Sequence, residues 1–161
     1  MGKTSLVRHA VDSVFDGSNH STIGVKIDRK VVTIGEDEVT MILWDVAGEE
    51  EFFQIPDSYI DGASGCLFVA DGTRPESLRT LKAIRERVAK QCGDDMPSVI
   101  MLNKSDLSEE WKISEDERAT LAADGTPCLL TSAKLGHGVE AGMTELAAQM
   151  LAGVKGSPEI R

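Results

Sequence analysis

Long apolar runs are missing from this chain of 161 residues: no stretch approaches the ~20 apolar residues that a membrane-crossing helix needs. Basic side chains are in deficit, with 17 Lys and Arg against 27 Asp and Glu and a formal charge of −10. A nucleic-acid backbone or an anionic membrane surface is therefore repelled on average, and any phosphate ligand has to be held by local groups. No nucleic-acid partner is expected. Cysteine is scarce. Cys66, Cys92 and Cys128 have no metal-ligand spacing, and their odd number leaves one over in any disulfide scheme, so free thiols in a reducing cytoplasm are the simplest reading. His9, His20 and His137 show no ligand spacing either and are read as structural or solvent-facing. The first residues carry no signal-peptide succession, and Gly156 to Arg161 holds no cysteine for prenylation. A cytoplasmic location without an intrinsic membrane anchor is expected.

What is present is the composition of one globular domain, 41% hydrophobic and 27% charged, long enough to bury a substantial core. Residues 5–15 read as a helix, with Leu6, Val7, Ala10, Val11 and Val14 in an apolar stripe. Residues 25–34 and 39–44 are β-rich and separated by Gly35-Glu-Asp-Glu38, which suits an antiparallel hairpin. The runs at 65–70, 98–102 and 127–131 are short, continuous and uncharged, as buried parallel strands should be. Between them, residues 75–91 place Leu78, Leu81, Ile84 and Val88 on one helix face, and 114–123 open with a Ser-Glu-Asp-Glu capping box. Residues 139–151 close the chain as a last helix. The alternation predicts an α/β domain, a mostly parallel sheet with helices on both faces and one antiparallel edge hairpin. The domain is expected over residues 1–153, with 154–161 as a short polar tail.

Three stretches carry chemistry. Gly2-Lys3-Thr4, followed by Ser5, is the back half of a phosphate-cradling P-loop: glycine lets backbone amides approach the oxygens, lysine reaches the β- and γ-phosphates, and the threonine hydroxyl holds magnesium. Asp45-Val-Ala-Gly48 ends an apolar strand with a carboxylate, and Asn103-Lys104-Ser105-Asp106 follows a buried-strand run. Together, in this order, they resemble a small GTPase of the Ras superfamily, Rab-like, from Gly2 to about residue 151.

That resemblance implies a P-loop NTPase fold and a site distributed over the chain. Gly2, Lys3, Thr4 and Ser5 would hold the phosphates, with Lys3 also neutralising charge on the leaving phosphate. Thr22, 18 positions after Thr4 as in the family, would bind magnesium by its hydroxyl and the γ-phosphate by its amide. Thr4 and Asp45 would complete the metal site, and the amide of Gly48 would sense the γ-phosphate. Phe15 matches an aromatic that packs against the guanine. Asp106 would accept from guanine N1–H and the 2-amino group, while Asn103 ties loops together and the stem of Lys104 covers the ring. Ser132-Ala133-Lys134 would complete the base site, with the Ala133 amide available to the guanine carbonyl. Trp44 is read as a core or switch-packing residue, and the acidic residues Glu50, Glu51, Asp57 and Asp61 as a solvated face.

Two departures stand out. Glu49 occupies the position of the glutamine that orients the attacking water; an ionised glutamate only accepts hydrogen bonds and adds negative charge beside a negative transition state. The strand that precedes a P-loop, and the first half of that loop, have no counterpart before Gly2. In the family that strand is central, and without it both neighbours lose ladder partners at about 1–3 kcal/mol per buried group, against a net stability of about 5–15 kcal/mol. The biological start is therefore expected upstream of Met1. The resemblance implies a switch that binds GTP and GDP with magnesium and hydrolyses GTP, served by exchange factors, activating proteins and effectors. The alternative is a non-hydrolysing interaction module. A P-loop kinase or ATPase is disfavoured by Asn103 to Asp106.

Overall fold

A computed structural model describes residues 2–12, 25–46, 53–54 and 56–156. The chain enters helix α1 (Lys3–Asp12) from Gly2, whose carbonyl accepts from the Leu6 amide at 2.9 Å. Leu6 and Ala10 are buried, with Val7 and Val11 half-buried beside them, as the apolar stripe predicts. Strands β1 (Val25–Ile34) and β2 (Asp37–Val46) form the expected antiparallel hairpin, with Ile34 opposite Asp37. The two-residue turn has Gly35 in its first position at φ +63°, a conformation that glycine adopts without strain. Strand alternation sends Val32, Met41, Leu43 and Asp45 inward and leaves Ile27, Ile42 and Trp44 on the outer face. Lys30 clasps this hairpin to the helices, donating to the Ala10 carbonyl at 2.7 Å and pairing with Glu140 at 2.9 Å.

The second sheet is parallel, in the order β3 (Cys66–Asp71), β4 (Ser98–Asn103), β5 (Cys128–Leu130). Helices α2 (Asp57–Asp61), α3 (Glu76–Cys92), α4 (Glu115–Leu121) and α5 (Val139–Gly156) connect and cover it. The capping box is present at α4, where Ser114 and Glu117 satisfy each other's amides. The sheet's two-residue period sorts its side chains cleanly. Val69, Val99 and Met101 pack with α1, α5 and the hairpin, whereas Phe68, Ala70, Ile100 and Leu102 pack with α3, α4 and Ile60 of α2. Helices thus lie on both faces. Trp44 is not a core residue: it is 48% exposed, and its ring lies against Tyr59 of α2 with centroids 5.2 Å apart.

Among the described residues the two sheets are not joined. Between β2 and β3 lies a cavity of about 530 Å³, walled by both strands, by Leu6 on one side and by Leu81 on the other. That is far beyond an ordinary packing defect. Cys66 donates to Pro97 and Gly72 to Asn103, so strand parity aims the backbone groups of Leu67 and Val69 away from β4 and into this cavity. Among the described residues no strand fills it.

Candidate nucleotide site

The carboxyl ends of β2 and β4 meet the start of α1, at the end of an α/β sheet where ligands bind. Gly2 there has φ +88° and lies so close to the Asn103 side chain that a Cβ would collide with its amide nitrogen. The first turn of α1 carries no acidic side chain, so its amides and the positive end of the helix dipole meet no carboxylate from within the helix. Asp45, at the end of β2, is 5% exposed. Burial lifts its carboxyl above the usual range, and the Thr4 hydroxyl donating to it and the Lys3 charge only partly offset that. Its Oδ2 is buried without a hydrogen-bond partner. A buried orphan carboxylate oxygen beside a threonine hydroxyl is a fitting donor pair for a hard divalent cation. Among the described residues no group of three or more His, Cys, Asp or Glu could hold a metal by itself.

The other half is built from the ends of β4 and β5. Asn103 is 2% exposed, and its Oδ1 accepts from the Ala133 amide at 3.1 Å and the Thr131 hydroxyl at 3.5 Å. The expected loop-tying role fits this geometry. The Ala133 amide differs from expectation: it is given to Asn103 rather than left open, because a buried carboxamide oxygen needs a donor. Asp106 accepts from the Ser132 hydroxyl through Oδ1 at 2.6 Å, and Ser132 Oγ in turn accepts from the Leu135 amide at 3.1 Å. One edge of the Asp106 carboxylate is thereby fixed, and Oδ2 remains for a ligand. Ser105 donates to Thr131 at 2.9 Å, locking the two loops together. Lys104 has φ 69°, the one positive value at a non-glycine among the described residues. Lys134 is exposed.

Lys3, Thr4 and Asp45 are thus brought together, as are Asn103, Asp106, Ser132 and Ala133, with Gly2 touching both groups. Phe15, Thr22, Gly48 and Glu49 lie outside the described residues. One residue in contact with the site was not anticipated. Asp71, at the end of β3, sets Oδ2 at 2.7 Å from the Lys104 ammonium. An acid closing an apolar strand, the same signal that marked Asp45, was there to be read.

Residues 1–152 match the Ras family. The Ypt/Rab-type GTPase ypt7 of Pyricularia oryzae (strain 70-15) is 32% identical over 159 residues, covering 94% of this chain and 78% of its own length.

Proposed function

The chain belongs to the Ras family and is Rab-like, and from that premise we propose that it is a guanine-nucleotide switch that binds GTP and GDP with magnesium and hydrolyses GTP. The observation that carries the reading is the meeting of two half-sites at one sheet end, Lys3 and Thr4 with Asp45, and Asn103 with Asp106 and Ser132. In the reaction, a water oxygen bonds to the γ-phosphorus, its proton passes to the released phosphate, and the bond to the β–γ bridging oxygen breaks with its electron pair leaving on GDP. Lys3 and the α1 amides hold the phosphates and offset the charge that gathers on the bridging oxygen. Thr4 and Asp45 would hold magnesium, which when bound neutralises charge on the β- and γ-oxygens. Asp106 reads the base by accepting from N1–H and the 2-amino group, hydrogens that adenine lacks at those positions.

Glu49 stands where an amide would both accept from water and donate to the phosphoryl group; an ionised glutamate only accepts, which either slows hydrolysis or leaves the water positioned by another balance of effects. Multiple-turnover phosphate release from GTP tests the enzyme directly, and Glu49→Gln is expected to raise the rate at least about tenfold. An unchanged rate in that variant removes Glu49 from the water site. Exchange factors, activating proteins and effectors follow from the family, and the exposed Ile27, Ile42, Trp44 and Tyr59 offer such a partner an apolar surface.

The cavity between β2 and β3 supports a second reading, an interaction module that neither binds nor hydrolyses GTP. A longer version of the chain, carrying an apolar strand and a complete P-loop upstream of Gly2, separates the two. If the strand seats in the cavity and nucleotide binding appears or tightens, the switch stands. If neither length binds GTP or GDP, the module reading takes over.

A further inference from the structure

Asp71 closes the apolar run of β3 and is 1% exposed, so every oxygen of its carboxylate must be answered by protein. Oδ1 accepts from the Thr73 amide at 2.9 Å and from the Thr73 hydroxyl at 2.7 Å. Oδ2 lies 2.7 Å from the Lys104 ammonium, an ion pair that answers its charge. The backbone around it is fixed as well. The Asp71 amide donates to Ser77 Oγ at 2.9 Å, and the Ser77 hydroxyl reaches the Asp71 carbonyl at 3.1 Å.

The same turn also grips the Asn103-Lys104 backbone. Gly72 donates to the Asn103 carbonyl at 2.9 Å and accepts from the Lys112 amide at 2.9 Å. The Trp111 indole lies so close over Gly72 that no side chain fits there. Lys104 is thus held at both ends by one dipeptide, its left-handed backbone beside Gly72 and its ammonium on Asp71. A lysine kept only for charge would need neither hold, since its side chain is still 40% exposed and a solvated ammonium needs no buried partner.

We propose that Asp71 is a positioning residue of the base-binding half: it stretches the Lys104 side chain into a fixed rod, so that the methylene stem, with its charge answered, forms an apolar wall for the purine. The inference rests on the guanine-nucleotide reading above. It assigns Asp71 no contact with nucleotide and no part in choosing guanine over adenine, which stays with Asp106.

The test is a double-mutant cycle on the GDP dissociation rate, with Asp71→Asn and Lys104→Met alone and combined. Asp71→Asn is expected to speed dissociation about tenfold, and in the Lys104→Met background to add nothing. An equal effect in both backgrounds means that Asp71 acts through the fold, and overturns the proposal. Thr73→Val loosens the carboxylate without removing its charge, and serves where Asp71→Asn folds poorly. It is expected to raise the rate about threefold with Lys104 present and not at all with Lys104→Met; equal effects again overturn the proposal. A readout without nucleotide keeps the two readings apart. The Lys104 ammonium is expected to give a slowly exchanging nitrogen-15 resonance in the unsubstituted protein that disappears with Asp71→Asn. If the unsubstituted protein shows that resonance but binds no GDP, the switch reading fails while the Asp71 hold on Lys104 survives; if the resonance is absent, the hold itself is refuted.

Discussion

Asp45 and Asp71 occupy matching places, each the acid that closes an apolar strand, and they are 5% and 1% exposed. Their surroundings differ. Burial pushes both carboxyls up, but at Asp71 the Lys104 ammonium and the Thr73 hydroxyl and amide outweigh it and hold the group below the usual range. At Asp45 the Thr4 hydroxyl and the Lys3 charge do not prevail, and Oδ2 has no hydrogen bond. On the base side the buried Asp71 carboxylate has its charge answered by Lys104 and Asp106 keeps Oδ2 for a ligand. On the phosphate side the buried Asp45 carboxylate keeps an oxygen without a hydrogen bond, and it borders the cavity that separates the two sheets. A site can be finished where it must read shape and left open where a charged ligand will complete it.

The comparison breaks most severely at the base. Asp106→Ala removes the acceptor for two guanine hydrogens and leaves the buried Ser132 hydroxyl without its 2.6 Å acceptor, and is expected to weaken GDP binding about a thousandfold. Equilibrium titration with a fluorescent GDP analogue reads it. The next effect is at the phosphates. Asp45→Asn is expected to remove the magnesium dependence of GDP affinity, a loss of about 10- to 100-fold. In the absence of ligand the same change should raise stability by about 1 kcal/mol, because a buried charge with an unanswered oxygen is removed. Asp71→Asn should do the reverse and destabilise by about 1–3 kcal/mol, since it deprives Lys104 of its partner. Urea melts of the two variants side by side check the opposite signs.

The smallest effect is on pH. Asp71 has a lowered native pKa, so its stabilisation is present above the ordinary carboxylate range and is lost as pH falls through that range toward the native value. Asp45 has a raised native pKa, so the folded state takes up its proton first and gains relative to the unfolded chain as pH falls from neutrality through the raised value. Thermal melts across acid pH should therefore flatten above the ordinary carboxylate range in Asp45→Asn and below it in Asp71→Asn. Identical profiles for the two variants would dissolve the comparison.

Much of this was legible beforehand because it rests on short-range rules. The limits of β1, the buried apolar runs of β3 and β4 and the capping box at Ser114 follow from period, apolar continuity and hydrogen-bonding chemistry. Asn103, Asp106 and Ser132 were singled out by the resemblance of their motifs to a family, and the structure brings them to one sheet end. Helix α2 did not, since five residues are too few to show a helical period. Of the two readings of Trp44, core or switch-packing, the core one fails, because an aromatic in a strand names no face and the face is fixed by register with Ile27. The donation of the Ala133 amide to Asn103 depends on a contact across 30 positions, and Lys104 meets Asp71 across two strand ends. Such pairings have no local signature.

The central claim is that the two half-sites form one guanine-nucleotide site. Competition binding tests it most directly: GDP with magnesium, challenged by excess ATP, on the unsubstituted protein lengthened by an added upstream strand and P-loop and on the same lengthened protein with Asp106→Ala. The account predicts tight GDP binding that ATP does not displace and that Asp106→Ala abolishes. Displacement by ATP, or binding that survives Asp106→Ala, would contradict it.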